Sequence, residues 1–358
     1  MHSNVECLRF CDLTEADRTL WSNFQVADPS LASPYFSIAY VEAVEAARPG
    51  VEILRFCEHG RPVAYWPFRK GPFGTVRPVA GPMDDLHGII AHATISVDLE
   101  QSAIRKQIGG FAFSAVPFQQ QRHGLLGQGG AGNQVIDLQE GFDPWIAARS
   151  AESSNFRREW RKSQKLIDEE TTLIQHDVVD PNSFDRLIDL KREAYAGSGH
   201  FDIFQLDWPR VLLEKLSGSR DDNARGILST LSIDGDVAAI SYCMRSQSVL
   251  HYWFPAYEAR FAKQKPGLAL LFTLAKWAAL EGMQELHLGL GDTQYKRQMA
   301  SWMMPVRSGT FALSPVQQFA TDFTAWGHQI EGQNRLFATA AKYARKYERM
   351  ALSGSWRA

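Results

Sequence analysis

The sequence predicts a two-domain α/β (α+β) chain, with mixed central sheets flanked by helices, and three observations carry that expectation. The first is size with composition: 358 residues, 45% hydrophobic and 22% charged, exceed one typical domain and supply enough apolar side chains for two cores. The second is a local grammar used twice. The stretches "VEILRFCEHGRPVAYWPF" (51–68) and "ARGILSTLSIDGDVAAISYCM" (224–244) each set a run of strand formers, a His-Gly or Asp-Gly turn and a second strand run. Each reads as a β-hairpin, and two matched hairpins point to one unit built twice. The third is a strand, loop, helix, strand succession over 248–290, the pattern of a crossover unit.

The remaining elements follow from spacing. In "SSNFRREWRKSQKLIDEE", Phe156, Trp160, Ser163 and Ile167 recur at helical intervals. Arg157, Arg161 and Lys165 line an adjacent stripe, with Arg158 and Lys162 beside it. Ser153 or Ser154 can cap this helix, which reads as the first of the second domain, after the linker-like "QEGFDPW" (139–145). Next come a short strand (171–179), helices over 181–197 and 206–216, the Asp234-Gly235 hairpin and a strand over 248–257. A turn ending in Pro266-Gly267, a helix over 268–282 and a strand over 283–290 complete the unit. The expected division is 1–148, 149–313 and a basic C-terminal tail over 314–358. From Arg335 onward six Lys or Arg face one Glu, on a chain whose net charge is -2. In that tail Leu336, Ala340, Tyr343, Tyr347 and Met350 repeat at helical spacing opposite the basic residues. It reads either as a helix docked on the body or as one that attaches reversibly to anionic lipid.

Composition narrows the function classes. Cys7, Cys11, Cys57 and Cys243 form no CxxC pair, which argues against a disulfide framework or a zinc site and fits a reducing compartment. The N-terminus has no basic-then-apolar leader, and no eighteen apolar residues run together, so a cytoplasmic location is expected. No nucleotide-hydrolase loop, zinc-protease pair or nucleophile elbow occurs. No metal is expected. "GQGGAG" (127–132) matches the dinucleotide pattern but precedes the strand-like "NQVIDL", so it reads as a flexible loop.

Two places hold chemistry. The loop ending in Pro266-Gly267 presents backbone N–H groups at a helix start, where anions bind; its plainer reading is a connection that begins a helix. In "LHLGLGDTQYKRQMASW" (286–302) a strand breaks at Gly289 and Gly291 and presents Asp292, Tyr295 and Lys296 within five residues. An acid, a phenol and an amine at a strand end suit acid-base work. Alternatively, Asp292 caps the short helix "TQYKRQM" and Tyr295 packs below it.

Over 251–300 the chain resembles GNAT-like acyltransferase domains of the CelD-like family of cellulose and exopolysaccharide biosynthesis, relatives of the Fem peptidyltransferases. The family's "DxGxGDxxYK" is matched at Gly289, Gly291, Asp292, Tyr295 and Lys296, with His287 in place of its first Asp. "NFRREWRKSQKL", "LKREAYAGSGHFDIFQLDW" and "AGPMDDLHGII" resemble further family segments. The resemblance implies two GNAT-like folds in tandem and a donor of acetyl-CoA or another acyl-CoA. It also implies an acceptor amine on an amino sugar, sugar nucleotide or lipid-linked saccharide; peripheral contact with anionic membrane is expected from the basic tail, and no DNA partner is expected. On chemistry and resemblance together, Asp292 is the expected base or amine anchor, Tyr295 the acid and Lys296 a phosphate ligand. Pro266, Gly267 and Leu268 would hold the donor's pyrophosphate, and Trp253 and Phe254 its pantetheine. Arg157, Arg161 and Asp85 would meet the acceptor. Two rivals stand beside this reading: a Fem-type transferase using aminoacyl-tRNA, and a catalytically silent binding module at the membrane.

Overall fold

The computed structural model describes residues 4–71, 74–99, 104, 107–129, 132–198 and 201–312. They form two compact units, each around its own mixed sheet. The tail expected over 314–358 lies outside the described residues.

The first unit is built on β1 (Asn4–Arg9), β2 (Val51–Glu58), β3 (Arg61–Lys70), β4 (Thr75–Arg77), β5 (Ile90–Ala91), β6 (Gly110–Pro117), β7 (Gln128–Gly129) and β15 (Val306–Ala312), with helix α1 (Glu15–Ala27). Its sheet order is β1-β2-β3-β4-β6-β15-β7, with β5 on β3. Thr14 caps α1 in a reciprocal box with Asp17. Asp17 also accepts from Arg55 and Tyr65, which ties the helix to the sheet.

The second unit holds α2 (Ile38–Ala47), β8 (Asn133–Asp137), α3 (Phe142–Glu152), α4 (Ser154–Ile167), β9 (Thr172–Gln175), α5 (Pro181–Ser198) and α6 (Asp207–Ser217). It continues with β10 (Arg225–Ile233), β11 (Asp236–Arg245), β12 (Val249–Tyr257), α7 (Pro266–Leu280), β13 (Glu285–Leu290), α8 (Gln294–Met299) and β14 (Trp302–Met304). The sheet order is β14-β8-β13-β12-β11-β10-β9. The apolar helix α7 lies on one face, where Phe272 meets the rings of Trp145, Phe156 and Trp160 at centroid distances of 5.8, 5.6 and 4.9 Å. On the other face Tyr242 donates to the Leu213 carbonyl of α6.

Both predicted hairpins form, and they turn alike: His59-Gly60 and Asp234-Gly235 each have positive φ at both positions, the tight turn that matches strand twist. Each hairpin also carries a register shift near its turn, at Phe56/Cys57 and Leu231/Ser232.

The compact units differ from the division expected at 148/149. Among the described residues, one joins 4–31, 48–129 and 305–312, the other 32–47 and 132–304. Sheet pairing is the reason. β8 pairs with β13 and β14, while β15 pairs with β6 and β7. Residues 32–47 join the second unit because Tyr35 packs edge-on against His251 and Trp253 and Ser246 donates to the Ala32 carbonyl. The segment read as a linker is largely helix α3, with Pro144 in its first turn, where the missing N–H costs nothing. Among the described residues no helix is long and apolar enough to cross a membrane.

Candidate active site

The site grows from a fault in the second sheet. β12 and β13 run parallel but pair only through Val249↔Glu285, Leu250↔Leu286 and His251↔His287. Beyond that point β13 turns to β8, meeting it again at Leu290↔Asn133, whereas β12 continues along β11 to Tyr257. The strands part. Two local features fix the parting. On β12 the register to β11 slips between Tyr242↔Phe254 and Cys243↔Tyr252, which leaves Trp253 as the extra residue of a bulge. On β13 Gly289 has φ 79 and Gly291 φ 102, left-handed values that suit glycine.

Between the parted strands lies a cleft of about 640 Å³, within the size range of small-molecule sites. Tyr252, Pro255, Ala256 and Tyr257 of β12 form one wall, the first turn of α7 and Asn155, Arg158 and Glu159 of α4 another, and Gln294, Tyr295, Gln298 and Met299 of α8 a third. Among the described residues the β12 edge here has no neighbouring strand. The Glu258 N–H donates to the Ala238 carbonyl, so by alternation the backbone groups of Pro255 and Tyr257 face away from β11. Pro255 offers only a carbonyl, which accepts from Lys191 Nζ at 3.4 Å. Burial pushes that ammonium's pKa down.

At the start of α7, Lys265 adopts a left-handed conformation, φ 54, and its Nζ sits 2.7 Å from Glu159 Oε2. Burial alone would raise the Glu159 carboxyl; the Lys265 ammonium overrides it and holds the group below the usual carboxylate range. Tyr295 stands at the cleft mouth, 37% exposed, yet partial burial pushes its phenol up to about 12. It therefore carries its proton at neutral pH and can donate it.

The structure brings together only part of the expected set. Pro266, Gly267, Leu268 and Tyr295 line the cleft. Trp253 and Phe254 do not: their rings turn to the opposite face, Trp253 against Tyr35 and Tyr40, Phe254 against Phe204, because side chains alternate along a strand and the bulge resets the count. Asp292 is outside the lining, its carboxylate 62% exposed and 2.6 Å from Arg297 Nη1. It does not cap α8 either, whose N-cap is Thr293. Lys296 donates to the Leu290 carbonyl at 2.6 Å, which pins the end of β13, and is not among the residues that line the cleft. Arg157 and Arg161 line a separate hollow on the outer side of α4. Asp85 belongs to the first unit, half-buried after the 3-10 turn Gly81–Met83. His287 Nδ1 accepts from Asn133 Nδ2 at 3.2 Å and its Nε2–H donates to Glu285 Oε2 at 2.7 Å, a buried link from β13 to β8. Sequence reasoning passed over Tyr252, Tyr257 and Lys265. The signal for Glu159 was present: one acid inside a run of five cations.

Residues 153–297 match the family model described as an acetyltransferase (GNAT) domain. The second unit carries an acyltransferase domain. The match covers the cleft from Asn155 to Tyr295. Among solved structures, the chain is similar to FemX, with a TM-score of 0.59 at 11% identity, over 88% of this chain and 100% of that one. It is also similar to the C-terminal domain of a lysylphosphatidylglycerol synthetase from Agrobacterium fabrum, with a TM-score of 0.52 at 10% identity over 90% and 99% of the two chains. At these identities the likeness establishes a shared fold. No curated protein matches the chain.

Proposed function

We propose that the protein is an acyl-CoA-dependent N-acyltransferase whose donor occupies the cleft between β12 and β13. The observation that carries this reading is the parting of two parallel strands, with an unpaired strand edge leading to a helix N-terminus. Pantetheine is a chain of amides and pairs with such an edge as a short strand would, using the outward groups of Tyr257 and the carbonyl of Pro255. A diphosphate suits the positive end of α7, where Gly267 offers its N–H while Leu268 and Ala269 donate to the Lys265 carbonyl, with Lys265 and Arg158 beside it. The acceptor nitrogen attacks the thioester carbonyl, the carbon–sulfur bond breaks, and the thiolate takes the Tyr295 proton; the amine proton leaves to solvent, and the Tyr295 phenolate takes a proton back from solvent. Asp292 is not assigned the base, because a base must reach the amine and this carboxylate is held by Arg297 outside the cleft.

The acceptor class rests on the resemblance over 251–300, which points to an amine on an amino sugar, sugar nucleotide or lipid-linked saccharide of exopolysaccharide assembly. Two measurements test the reading. Free CoA should bind and aminoacyl-tRNA should not; the reverse would favour a Fem-type transferase. Tyr295→Phe should lower turnover ~100-fold, the usual scale for a general acid, with CoA affinity unchanged. Full turnover in that variant would move the acid elsewhere.

A further inference from the structure

Helix α4 shows two different faces. Phe156, Ser163 and Leu166 are buried against the second unit, whereas Arg157, Arg158, Arg161, Lys162 and Lys165 are all exposed. The five cations, with Ser154, border a shallow hollow of about 430 Å³. Arg158 alone also borders the cleft and touches Asn155 and Glu159. Among the described residues Arg157, Arg161, Lys162 and Lys165 make no ion pair. Several arginines elsewhere are held in ion pairs: Arg55 by Asp17, Arg122 by Asp28, Arg186 by Glu258 and Arg225 by Asp177.

We infer that this face of α4 docks on an anionic phospholipid surface. The geometry of the charge selects the partner. A single phosphate is held by groups that converge on one point, with backbone N–H groups or a buried cation among them. Here the cations stand in a row on long, flexible, solvated stems along one helix face, which fits an extended sheet of anions, each cation adding a similar increment. A single-stranded nucleic acid would call for aromatic stacking platforms, and the exposed residues of this face are Ser, Arg, Lys and Gln. Arg158, shared by the row and the cleft, would bring the cleft mouth close to the headgroups.

Sedimentation with vesicles tests the inference without reference to catalysis. The full chain should pellet with phosphatidylcholine vesicles that contain phosphatidylglycerol and stay in solution with phosphatidylcholine alone. Binding should fade at about 0.5 M salt, as a screened contact does. The combined variant R157Q/R161Q/K162Q/K165Q, which spares Arg158, should keep its circular dichroism and lose ~100-fold or more in vesicle affinity, at roughly fivefold per cation. Three results would overturn the inference: no binding by the natural chain, undiminished binding by the folded variant, or release of the natural chain by inorganic pyrophosphate or homopolymer RNA at concentrations that leave ionic strength unchanged. The variant's CoA affinity is measured in parallel, so that failure here stays separate from failure of the donor site.

Discussion

At the scale of single residues, the cleft depends on a few charges whose partners are specific. Lys265 is the cation nearest the start of α7 on its own loop, and Glu159 holds it. A diphosphate at that helix start competes with Glu159 for the ammonium, so the carboxylate sets how tightly CoA is held and how readily it leaves. Glu159→Gln keeps the side chain's shape and removes the competition. CoA should then bind ~10-fold tighter, the scale of one charge-assisted hydrogen bond, as read by titration calorimetry; weaker binding would mean that Glu159 acts by positioning Lys265. The sequence showed Glu159 as an interruption of the basic run but not which way it faced. Tyr295 was legible because its motif is local. Asp292 and Lys296 belong to the same motif but lie outside the cleft lining, a direction the motif does not encode, because Arg297 and the Leu290 carbonyl, which decide it, are themselves polar groups with several available geometries.

At the scale of elements, what the sequence revealed depended on how local the determining force is. Both hairpins were readable from their turns, since a residue pair with positive φ is a local demand that His-Gly and Asp-Gly meet. Helix α4 was readable from its apolar spacing, and Ser153 does accept from the Phe156 N–H as a cap. The fate of "GQGGAG" was not readable. Gln128–Gly129 pair with β15, and a Cβ on Gly127 would meet the Ser308 carbonyl oxygen at 2.5 Å, so this glycine permits a close strand approach from a segment some 180 residues away. The bulge at Trp253 was equally hidden. One inserted residue reverses which side chains face the cleft, and nothing in an aromatic-rich run such as "HYWF" marks where the insertion falls.

At the scale of the whole molecule, the two units reuse one hairpin plan but not one continuous stretch of chain each. β8 and β15 join sheets that lie away from their sequence neighbours, a long-range outcome that periodicity does not encode. The chain also carries an acid sensitivity. Burial pulls His87 and His123 down to about 3 and His176 to about 4. His123 Nδ1 accepts from the Val97 N–H, a bond that protonation would break. Each folded-state value lies below the ordinary one, so the unfolded chain binds more protons as pH falls. The stabilisation is therefore complete above about pH 6.5 and is lost on the way down toward pH 3–4. Urea midpoints should be flat from pH 8 to 7 and fall from about pH 6 to 4.5, by up to ~1.4 kcal/mol per pH unit for each histidine; a flat profile to pH 4.5 would contradict this. The central claim, that the donor sits in the second unit's cleft with its phosphates at the start of α7, has its most direct test at Gly267. A Cβ there meets Tyr257 only at ordinary contact, 3.8 Å, so Gly267→Glu should fold and melt as the natural protein does. Its added carboxylate would lie where the diphosphate is expected. Calorimetric titration with CoA should show binding to the natural chain and a ~100-fold or greater loss in the variant, the scale of one charge-assisted contact replaced by a repulsive one. Equal CoA affinity in the two proteins would contradict the account.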